Sequence, residues 1–414
     1  MDDKIIFVQI ASYRDEELLH TIESCISNAS YPDRLRFGIF HQYDDSTKHL
    51  VDAYRDNPQF RIADIDWRES QGVGYARYRC NRLYDDENFT LQIDSHMRFD
   101  PGWDKELLSE WLSCGDDHAI LSTYPSPFRY DKGTETHLPY GPTMLVVNKF
   151  FNGFVPTFKG MPVKMRADGR PRKSLFVAGG FIFAPGIICK EVPYIQDVCF
   201  MGEEIVYAVR LFTHGYNFYI PNRLGIYHLY DRPKSSRFWN DMPQSDEELI
   251  KNRHQTMMRK NDLFLRNFFV EGSEKPLGTE RSLEEFENYS GVDFEEKLVS
   301  PKQVELREPP YAYSDEWVNR FFEKQHVHLV LDLSSVTYPK SAPYIMWRFK
   351  LTSGISELYS LDIPYDQLRK NNFVVTVDAK LRKQPTHYRV RPYLEGEVWY
   401  DPIELEIEEG HLKG

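Results

Sequence analysis

The sequence lacks the patterns of a membrane protein and of a secreted protein held together by disulfides. It contains no run of about 18 apolar residues, which excludes a predicted membrane-spanning helix. Residues 1–4 lead directly into an apolar strand and do not have the pattern of a signal peptide. The 5 cysteines are scattered and form no Cys-x-x-Cys pair, so neither a disulfide framework nor a zinc site is predicted. We therefore expect a cytoplasmic protein with reduced thiols.

Basic residues are also too few for a protein that mainly binds nucleic acid. The chain has 51 Lys and Arg against 63 Asp and Glu, a formal net charge of −12. That balance argues against nucleic acid or an anionic membrane surface as the main partner. The length of 414 residues exceeds what one hydrophobic core usually supports, so two domains are expected.

Strand and helix patterns alternate in the first half of the chain. Residues 5–11 form a nearly continuous apolar run, which is typical of a parallel strand buried on both faces. Helices are predicted over 15–29, 47–55 and 72–84, and strands over 35–40, 61–66 and 90–93. This order predicts the α/β class, with a doubly wound, mostly parallel sheet.

Three further elements are predicted after residue 170. A strand over 174–184 contains Gly179 and Gly180, and a helix is expected over 203–213. A longer amphipathic helix is predicted over 245–270, with Ser245 and Glu248 at the spacing of a capping box.

The last ninety residues have a different pattern. Alternating apolar and polar residues predict strands over 326–333, 344–351, 357–363, 373–381, 387–394 and 403–407. Six short strands without a substantial helix predict a small antiparallel β-sandwich. The expected organisation is a catalytic domain over 1–295, a charged linker over 296–323 and an accessory sandwich over 324–414.

One short motif points to a metal ion. Asp94 and His96 come directly after the predicted strand 90–93 and are two residues apart, so on an extended segment they point the same way. A carboxylate oxygen and an imidazole nitrogen aimed at one point suit Mn²⁺ or a related divalent ion. The end of a strand in an open α/β sheet is also where ligands usually bind. Alone the motif is weak, because Asp-x-His often arises by chance.

Further motifs follow in a fixed order, namely Val177–Phe181, Met201–Glu204, Arg210 and Gly225–His228. In that order they resemble GT-A glycosyltransferases with a UDP-sugar donor, such as the polypeptide N-acetylgalactosaminyltransferases. The closer resemblance is to the Skp1-type polypeptide N-acetylglucosaminyltransferases and their bacterial relatives. It is carried by residues 6–15, 74–77, 92–96 and 276–294 and spans roughly residues 4–295.

The resemblance implies a GT-A catalytic domain in which Asp94, His96 and His228 bind Mn²⁺ or Mg²⁺. It also implies UDP-N-acetylglucosamine as the donor, retention of the anomeric configuration, and a hydroxyl of a protein or glycan as the acceptor. A divalent ion neutralises a leaving pyrophosphate as a Lewis acid, and three protein ligands leave positions open for phosphate oxygens. Without the resemblance, His228 would be interpreted as a strand-end histidine with no partner.

Donor contacts are predicted at the ends of the early strands. Ser12 and Arg14, with Asp44, are assigned to the uridine and ribose, although Asp44 equally suits a solvated turn. Arg77 is assigned to the donor phosphates because a guanidinium binds phosphate in a bidentate way. Arg79, two residues later on the same helix, is interpreted as a surface charge.

Glu203 and Glu204 are the catalytic candidates, and Gly179 and Gly180 are assigned to donor binding. One carboxylate is expected at a hydroxyl of the donor sugar or of the acceptor. A carboxylate at a helix N-terminus also stabilises the helix dipole by roughly 0.3–1 kcal/mol, which is the alternative for one of the pair. The glycines would let the backbone approach the donor sugar, or they serve sheet packing.

Two other function classes remain open from the sequence. A metallohydrolase could use the same Asp and His residues, but it would usually need more ligands, often around two metals. A non-catalytic sugar-binding protein with a decayed transferase domain is the second. The C-terminal region is also a candidate surface for a homo-oligomer.

Overall fold

The computed structural model describes residues 3–138, 141–233, 235–271, 275–311, 325–339, 342–353, 356–381, 384–394 and 398–408. The chain divides into two compact units, residues 1–312 and 313–414. Among the described residues, none of the helices combines the length and the apolar character needed to cross a membrane.

The first unit contains sixteen described strands and nine described α-helices. The strands are β1 Ile6–Tyr13, β2 Leu35–Tyr43, β3 Phe60–Asp66, β4 Phe89–Asp94, β5 Met97–Phe99, β6 Ala119–Ser122, β7 Ser126–Asp131, β8 Thr134–His137, β9 Thr143–Phe151, β10 Val155–Pro162, β11 Arg172–Lys173, β12 Phe181–Pro185, β13 Asn217–Ile220, β14 Ile226–His228, β15 Val292–Asp293 and β16 Leu298–Val299. The α-helices are α1 Leu18–Ser27, α2 Val73–Asn81, α3 Trp103–Ser113, α4 Ile188–Glu191, α5 Glu203–Thr213, α6 Phe238–Asp241, α7 Glu248–Arg266, α8 Leu283–Ser290 and α9 Pro301–Val304.

A large mixed sheet forms the centre of this unit. Its eight strands follow the order β11-β13-β6-β12-β4-β1-β2-β3. The apolar run of β1 explains its central place, since it pairs in parallel with both β2 and β4 and its first five side chains are buried. The predicted α/β class is confirmed.

The direction of strand β12 could not be predicted from the alternation of strands and helices in the sequence. It lies antiparallel between β4 and β6, so it interrupts the parallel part of the sheet. Its side chains Phe181 and Phe183 belong to the same buried cluster as Ile10 and Leu91 of the parallel strands. This cluster holds the carboxyl ends of β1 and β4 next to each other.

Several predicted elements differ from the observed ones. The predicted helix 47–55 is wrong, because the chain there forms turns and a 3₁₀ helix of three residues, Asp52–Tyr54. The strand predicted over 174–184 is confirmed only in its last part, since β12 begins at Phe181 and both glycines precede it. The capping box predicted at Ser245 is also wrong, because Glu247 is the N-cap of α7 and makes no side-chain cap.

The first unit extends past the boundary predicted at residue 295. Residues 298–304 form β16 and α9, although they were predicted as linker. The buried amide of Gln303 explains this placement, since it donates to the carbonyl of Ser290 and accepts from the backbone N–H of Val147. The predicted linker residues 312–323 lie outside the described part of the chain.

The second unit has two antiparallel sheets in its described residues. One pairs β17 (Gln325–Asp332) with β20 (Val374–Leu381). The other contains β18 Tyr344–Ser353, β19 Ser356–Pro364, β21 His387–Leu394, β22 Val398–Trp399 and β23 Ile403–Glu406. Both sheets contribute buried side chains to one cluster, including Leu329 and Phe349. A helix of six residues, α10 (Tyr365–Lys370), follows β19. The β-sandwich itself stays a prediction.

Candidate metal and donor site

Asp94, His96 and His228 meet at one point of the first unit. Asp94 is the last residue of β4, and a bend over Ser95 and His96 follows before β5 begins. Antiparallel pairing of β14 with β5 then places His228 opposite Met97, next to that bend. The ligand atoms of the three side chains all lie within 4.8 Å of one another. The structure therefore brings together the three residues predicted to bind a metal ion.

The distances within this cluster suit one shared cation. His96 Nε2 lies 3.0 Å from His228 Nε2, and Asp94 Oδ2 lies 3.2 Å from His228 Nε2 and 4.0 Å from His96 Nε2. Two nitrogens that each bind an ion at about 2.1 Å and at a right angle are about 3.0 Å apart. Two facing lone pairs at this distance need a proton or a cation between them. The cluster fits a divalent ion.

A buried carboxylate that the sequence did not reveal orients one of the imidazoles. Asp15 Oδ2 accepts hydrogen bonds from His96 Nδ1 at 2.8 Å, from Ser95 Oγ at 2.7 Å and from Arg232 Nη1 at 2.9 Å. With the proton on Nδ1, His96 turns the lone pair of Nε2 towards His228. A carboxylate behind a metal-binding histidine fixes its tautomer and raises its basicity. Asp15 comes two residues after the end of β1, and its position next to Arg14 was the signal available in the sequence.

The protonation states favour metal binding. Burial would raise the pKa of Asp94, but the hydrogen bond with His228 and the charge of Arg77 hold it well below its usual range. Burial lowers the pKa of His228, and its hydrogen bond with Asp94 opposes this effect without overcoming it. At neutral pH the cluster therefore offers an ionised carboxylate and an uncharged imidazole at residue 228, which are the ligand forms that bind a divalent ion.

Arg77 lies behind the metal cluster and not at an open surface. Its guanidinium donates to Asp94 Oδ1 at 3.1 Å and to the carbonyl of Gly179, and its Nε lies 3.4 Å from Glu203 Oε2. The side chain is only 6% exposed. Arg77 therefore neutralises two carboxylates of the site, and its predicted contact with the donor phosphates stays a prediction. Arg79 donates to Tyr75 and is half-buried, and its interpretation as a surface charge stays a prediction.

Glu203 and Glu204 begin α5, as predicted, and lie side by side with different partners. Glu204 Oε1 accepts the backbone N–H of Gly179 at 2.8 Å, and Tyr124 donates to its Oε2 at 3.3 Å. Burial, followed by the charge of Glu203, raises the pKa of Glu204 to about 7. Burial also raises the pKa of Glu203, against the opposing effect of Arg77.

Gly179 and Gly180 separate the metal cluster from the two glutamates. A Cβ at Gly179 would lie 2.2 Å from Glu203 Oε1, and one at Gly180 would lie 2.8 Å from Asp94 Oδ2. Neither position has room for a side chain. The glycines are therefore needed because the carboxylates of Glu203 and Asp94 approach the backbone closely.

Arg14 and Asp44 form a second group at the ends of β1 and β2. Arg14 donates to Asp44 Oδ2 at 2.8 Å and to Asp241 Oδ2 at 2.9 Å, and its guanidinium lies 4.5 Å from the ring centre of Trp67. The other oxygen of Asp44 accepts from its own turn, at Ser46 and Thr47. Asp44 thus has the internal hydrogen bonds of a turn, the alternative that the sequence left open.

Ser12, the remaining predicted donor contact, is fully buried at the end of β1. Its Oγ has no hydrogen-bond partner among the described residues. The carbonyl of Ser12 accepts from the amide of Gln42 at 3.1 Å, which ties the end of β1 to β2. The structure thus places Ser12 at the same end of β1 as Arg14, with its hydroxyl buried, and its contact with the donor stays a prediction.

The region that carries this site matches a family model. The model is described as Glycosyltransferase (GlcNAc), and it matches residues 5–59 and 48–296. The chain belongs to this glycosyltransferase family. The predicted resemblance to N-acetylglucosamine transferases is thereby confirmed at the level of the family, and the first unit has the α/β class of fold that was expected. No curated protein matches the chain.

Three solved structures illustrate the similarity of the chain to known proteins. GalNAc-T7 with UDP, GalNAc and Mn²⁺ is 15% identical, with a TM-score of 0.47 over 68% of this chain and 54% of that chain. TarS 1–349 of S. aureus with UDP-GlcNAc is 13% identical, with a TM-score of 0.36 over 63% and 72%. The mannosyltransferase PcManGT from Pyrobaculum calidifontis with GDP-Man and Mn²⁺ is 14% identical, with a TM-score of 0.37 over 55% and 58%. The chain spans about half the length of the GalNAc-T7 chain.

Proposed function

We propose that the protein transfers N-acetylglucosamine from UDP-N-acetylglucosamine to an acceptor hydroxyl, with Mn²⁺ or Mg²⁺ bound by Asp94, His96 and His228. The observation that carries this proposal is the convergence of these three side chains at the end of β4, in a chain of the GlcNAc glycosyltransferase family. A divalent ion at this place supplies a Lewis acid for the leaving diphosphate. The protein is proposed to act in the cytoplasm, as the free cysteines of the described residues support.

The chain's own residues prepare the site for this reaction. Asp15 holds His96 in the tautomer that binds metal, and Arg77 holds the carboxylate of Asp94 in place. Gly179 and Gly180 keep the backbone close to both Asp94 and Glu203. We assign Glu203 and Glu204 to hydroxyls of the bound sugars, and Ser12 and Arg14 to the nucleotide.

We propose a front-face displacement with retention, because no residue of the site stands out as a covalent nucleophile. The acceptor oxygen forms a bond to the anomeric carbon of the donor while the bond from that carbon to the phosphate oxygen breaks. The acceptor proton passes to the leaving phosphate, and UDP leaves with the electron pair. Proton NMR of the product tests this step, since a β linkage formed from the UDP-α-sugar would refute retention.

The decisive experiment compares metal-dependent binding and turnover of UDP-sugars by wild type and by Asp94→Ala. We expect calorimetry to show binding of UDP-N-acetylglucosamine that needs Mn²⁺ in wild type and is lost in the variant, while circular dichroism shows an intact fold. Asp45→Ala is the matched control, since that side chain is fully exposed on another turn. Equal metal-dependent affinity in wild type and Asp94→Ala would rule out the assignment.

The two other function classes give different results in the same experiment. A metallohydrolase would release the sugar to water at the same rate with or without an acceptor. Among the described residues, the cluster of Asp94, His96 and His228 is the candidate group found for a metal, whereas such hydrolases often use two ions. A non-catalytic sugar-binding protein would bind saccharides but turn over none of the UDP-sugars. Self-association through the second unit stays a prediction for sedimentation to check.

A further inference from the structure

Exposed aromatic side chains are concentrated on the segment that follows His228. Among the described residues, the exposed aromatic side chains are Tyr130, Tyr230 and Trp239. Tyr130, on β7, uses its hydroxyl for hydrogen bonds with Arg98 and Glu17. Tyr230 and Trp239 both lie within eleven residues of the histidine that completes the metal cluster. Both exposed rings are therefore close in sequence to a proposed metal ligand.

Tyr230 lies directly beside the metal cluster. Its ring centre is 4.1 Å from that of His228, and its hydroxyl donates to the carbonyl of Pro125 at 2.8 Å. The side chain is nevertheless 44% exposed. The ring is thus held at both ends, and part of it stays accessible next to a proposed metal ligand.

Trp239 contacts the segment that leads into Glu203. Its ring stacks on Phe200 at 4.1 Å, three residues before Glu203, and the side chain is 41% exposed. Asp241, two residues further along α6, accepts from Arg14, and the residue after Arg14 is the Asp15 that holds His96. Trp239 is thus linked to Glu203 through Phe200, whose carbonyl accepts the backbone N–H of Glu203 at 3.3 Å.

We propose that Tyr230 and Trp239 are stacking surfaces for the pyranose rings of a saccharide, so that the acceptor of the reaction is a glycan. This inference rests on the proposed transferase function. The C–H face of a pyranose is flat and apolar, and aromatic side chains held in one orientation offer contact area at a low cost in conformational entropy. Arg237, whose guanidinium lies 5.8 Å from the ring centre of Trp239, is placed to hydrogen-bond sugar hydroxyls.

The strand pairing next to the site favours a glycan over a peptide acceptor. An extended peptide commonly binds by adding a strand to a free sheet edge. The strand β14 offers no such edge, because it pairs with β5 on one side and with β7 on the other, although β5 is itself an outer strand of this sheet. A peptide that pairs along β14 is therefore excluded, and the exposed ring of Tyr230 beside His228 suits a sugar face.

The test measures acceptor use by wild type, Tyr230→Ala and Trp239→Ala with UDP-N-acetylglucosamine and Mn²⁺. The acceptor probes are p-nitrophenyl glycosides of glucose, galactose, mannose and N-acetylglucosamine, compared with peptides that contain serine, threonine or hydroxyproline. We expect each alanine variant to raise the KM for the preferred glycoside about 3- to 10-fold, the range for loss of one aromatic contact. Tyr230→Phe and Trp239→Phe keep a ring and should recover most of that loss. Tyr130→Ala is the matched control and should not change the KM.

A second measurement does not depend on turnover. Saturation-transfer NMR of the same glycosides should show contact with the ring protons of the sugar in wild type and its loss in both alanine variants. Unchanged KM and unchanged NMR contacts in both variants would overturn the inference, as would transfer to peptides without transfer to any glycoside. If the glycosides bind through Tyr230 and Trp239 but no UDP-sugar is turned over, the proposed transferase function is refuted, whereas saccharide binding by these two rings is supported.

Discussion

Replacement of Asp15 by Asn tests whether the residue behind His96 controls metal binding. The substitution keeps the size of the side chain but removes its charge and one of its two acceptor oxygens. In wild type, Oδ2 accepts three hydrogen bonds and Oδ1 accepts the backbone N–H of Glu17 at 3.1 Å. The side-chain amide of Asn has one acceptor oxygen, so its NH₂ group would face hydrogen-bond donors at the position of the other Asp15 oxygen.

The expected loss follows from the position of Asp15 behind one of three ligands. Removing a partner of this kind usually weakens metal affinity by about 10- to 100-fold, or about 1.4–2.7 kcal/mol. The free energy of unfolding should also fall, by about 1–3 kcal/mol, because the buried Ser95 hydroxyl loses an ionised acceptor. Arg232 is 20% exposed and can regain water, so it should add little to this cost.

Isothermal titration with Mn²⁺ measures the affinity, and circular dichroism at the same temperature establishes that the variant is folded. Asp45→Asn makes the same chemical change on a fully exposed turn and should bind Mn²⁺ as wild type does. A folded Asp15→Asn protein with a Kd for Mn²⁺ within twofold of wild type would refute the reasoning. His96 would then keep its metal-binding orientation without the charge of Asp15.

Three further outcomes are expected. Gly180→Ala should weaken the affinity for Mn²⁺, because the new Cβ would lie 2.8 Å from Oδ2 of Asp94 and displace that carboxylate. Gly141→Ala is the control, since a Cβ there meets nothing within 4 Å, and it should bind Mn²⁺ as wild type does in the same titration. Because the pKa of Glu204 is raised to about 7, the folded protein keeps a proton that the unfolded chain loses above its ordinary value. The contribution of Glu204 to stability should therefore fall as the pH rises from about 4.5 to 7, by roughly 3 kcal/mol in urea titrations. Glu204→Gln should remove this contribution but leave that of Glu287, whose pKa is also raised to about 7. Ser282→Ala removes the capping box of α8 and should lower the free energy of unfolding by about 1 kcal/mol in the same titrations.

Elements and site residues that depend on local pattern could be predicted from the sequence. The helix over 203–213 is observed with the predicted bounds, because Glu203 and Glu204 begin a strongly apolar helical run. The convergence of His228 with Asp94 followed from the order of the motifs. These predictions needed only neighbouring residues or a known family arrangement.

Features that depend on contacts between distant residues could not be predicted. The bond between Asp15 and His96 joins residues 81 positions apart, and the antiparallel place of β12 depends on pairing with β4 and β6. The helix start at Ser245 shows the limit of a short motif, since the observed capping box begins α8 at Ser282. A Ser-x-x-Glu spacing occurs at both places, and tertiary packing decides which one forms a cap.

The two oxygens of Asp94 have different partners, and this affects which ion the site binds best. One oxygen of this carboxylate is committed to Arg77, so only Oδ2 is free to coordinate, and it can do so in a monodentate way. Ca²⁺ prefers six to eight oxygens and commonly takes both atoms of a carboxylate, whereas two imidazoles and a single oxygen suit smaller ions of lower coordination number. Calcium should therefore compete poorly with manganese for this protein, even where calcium is abundant.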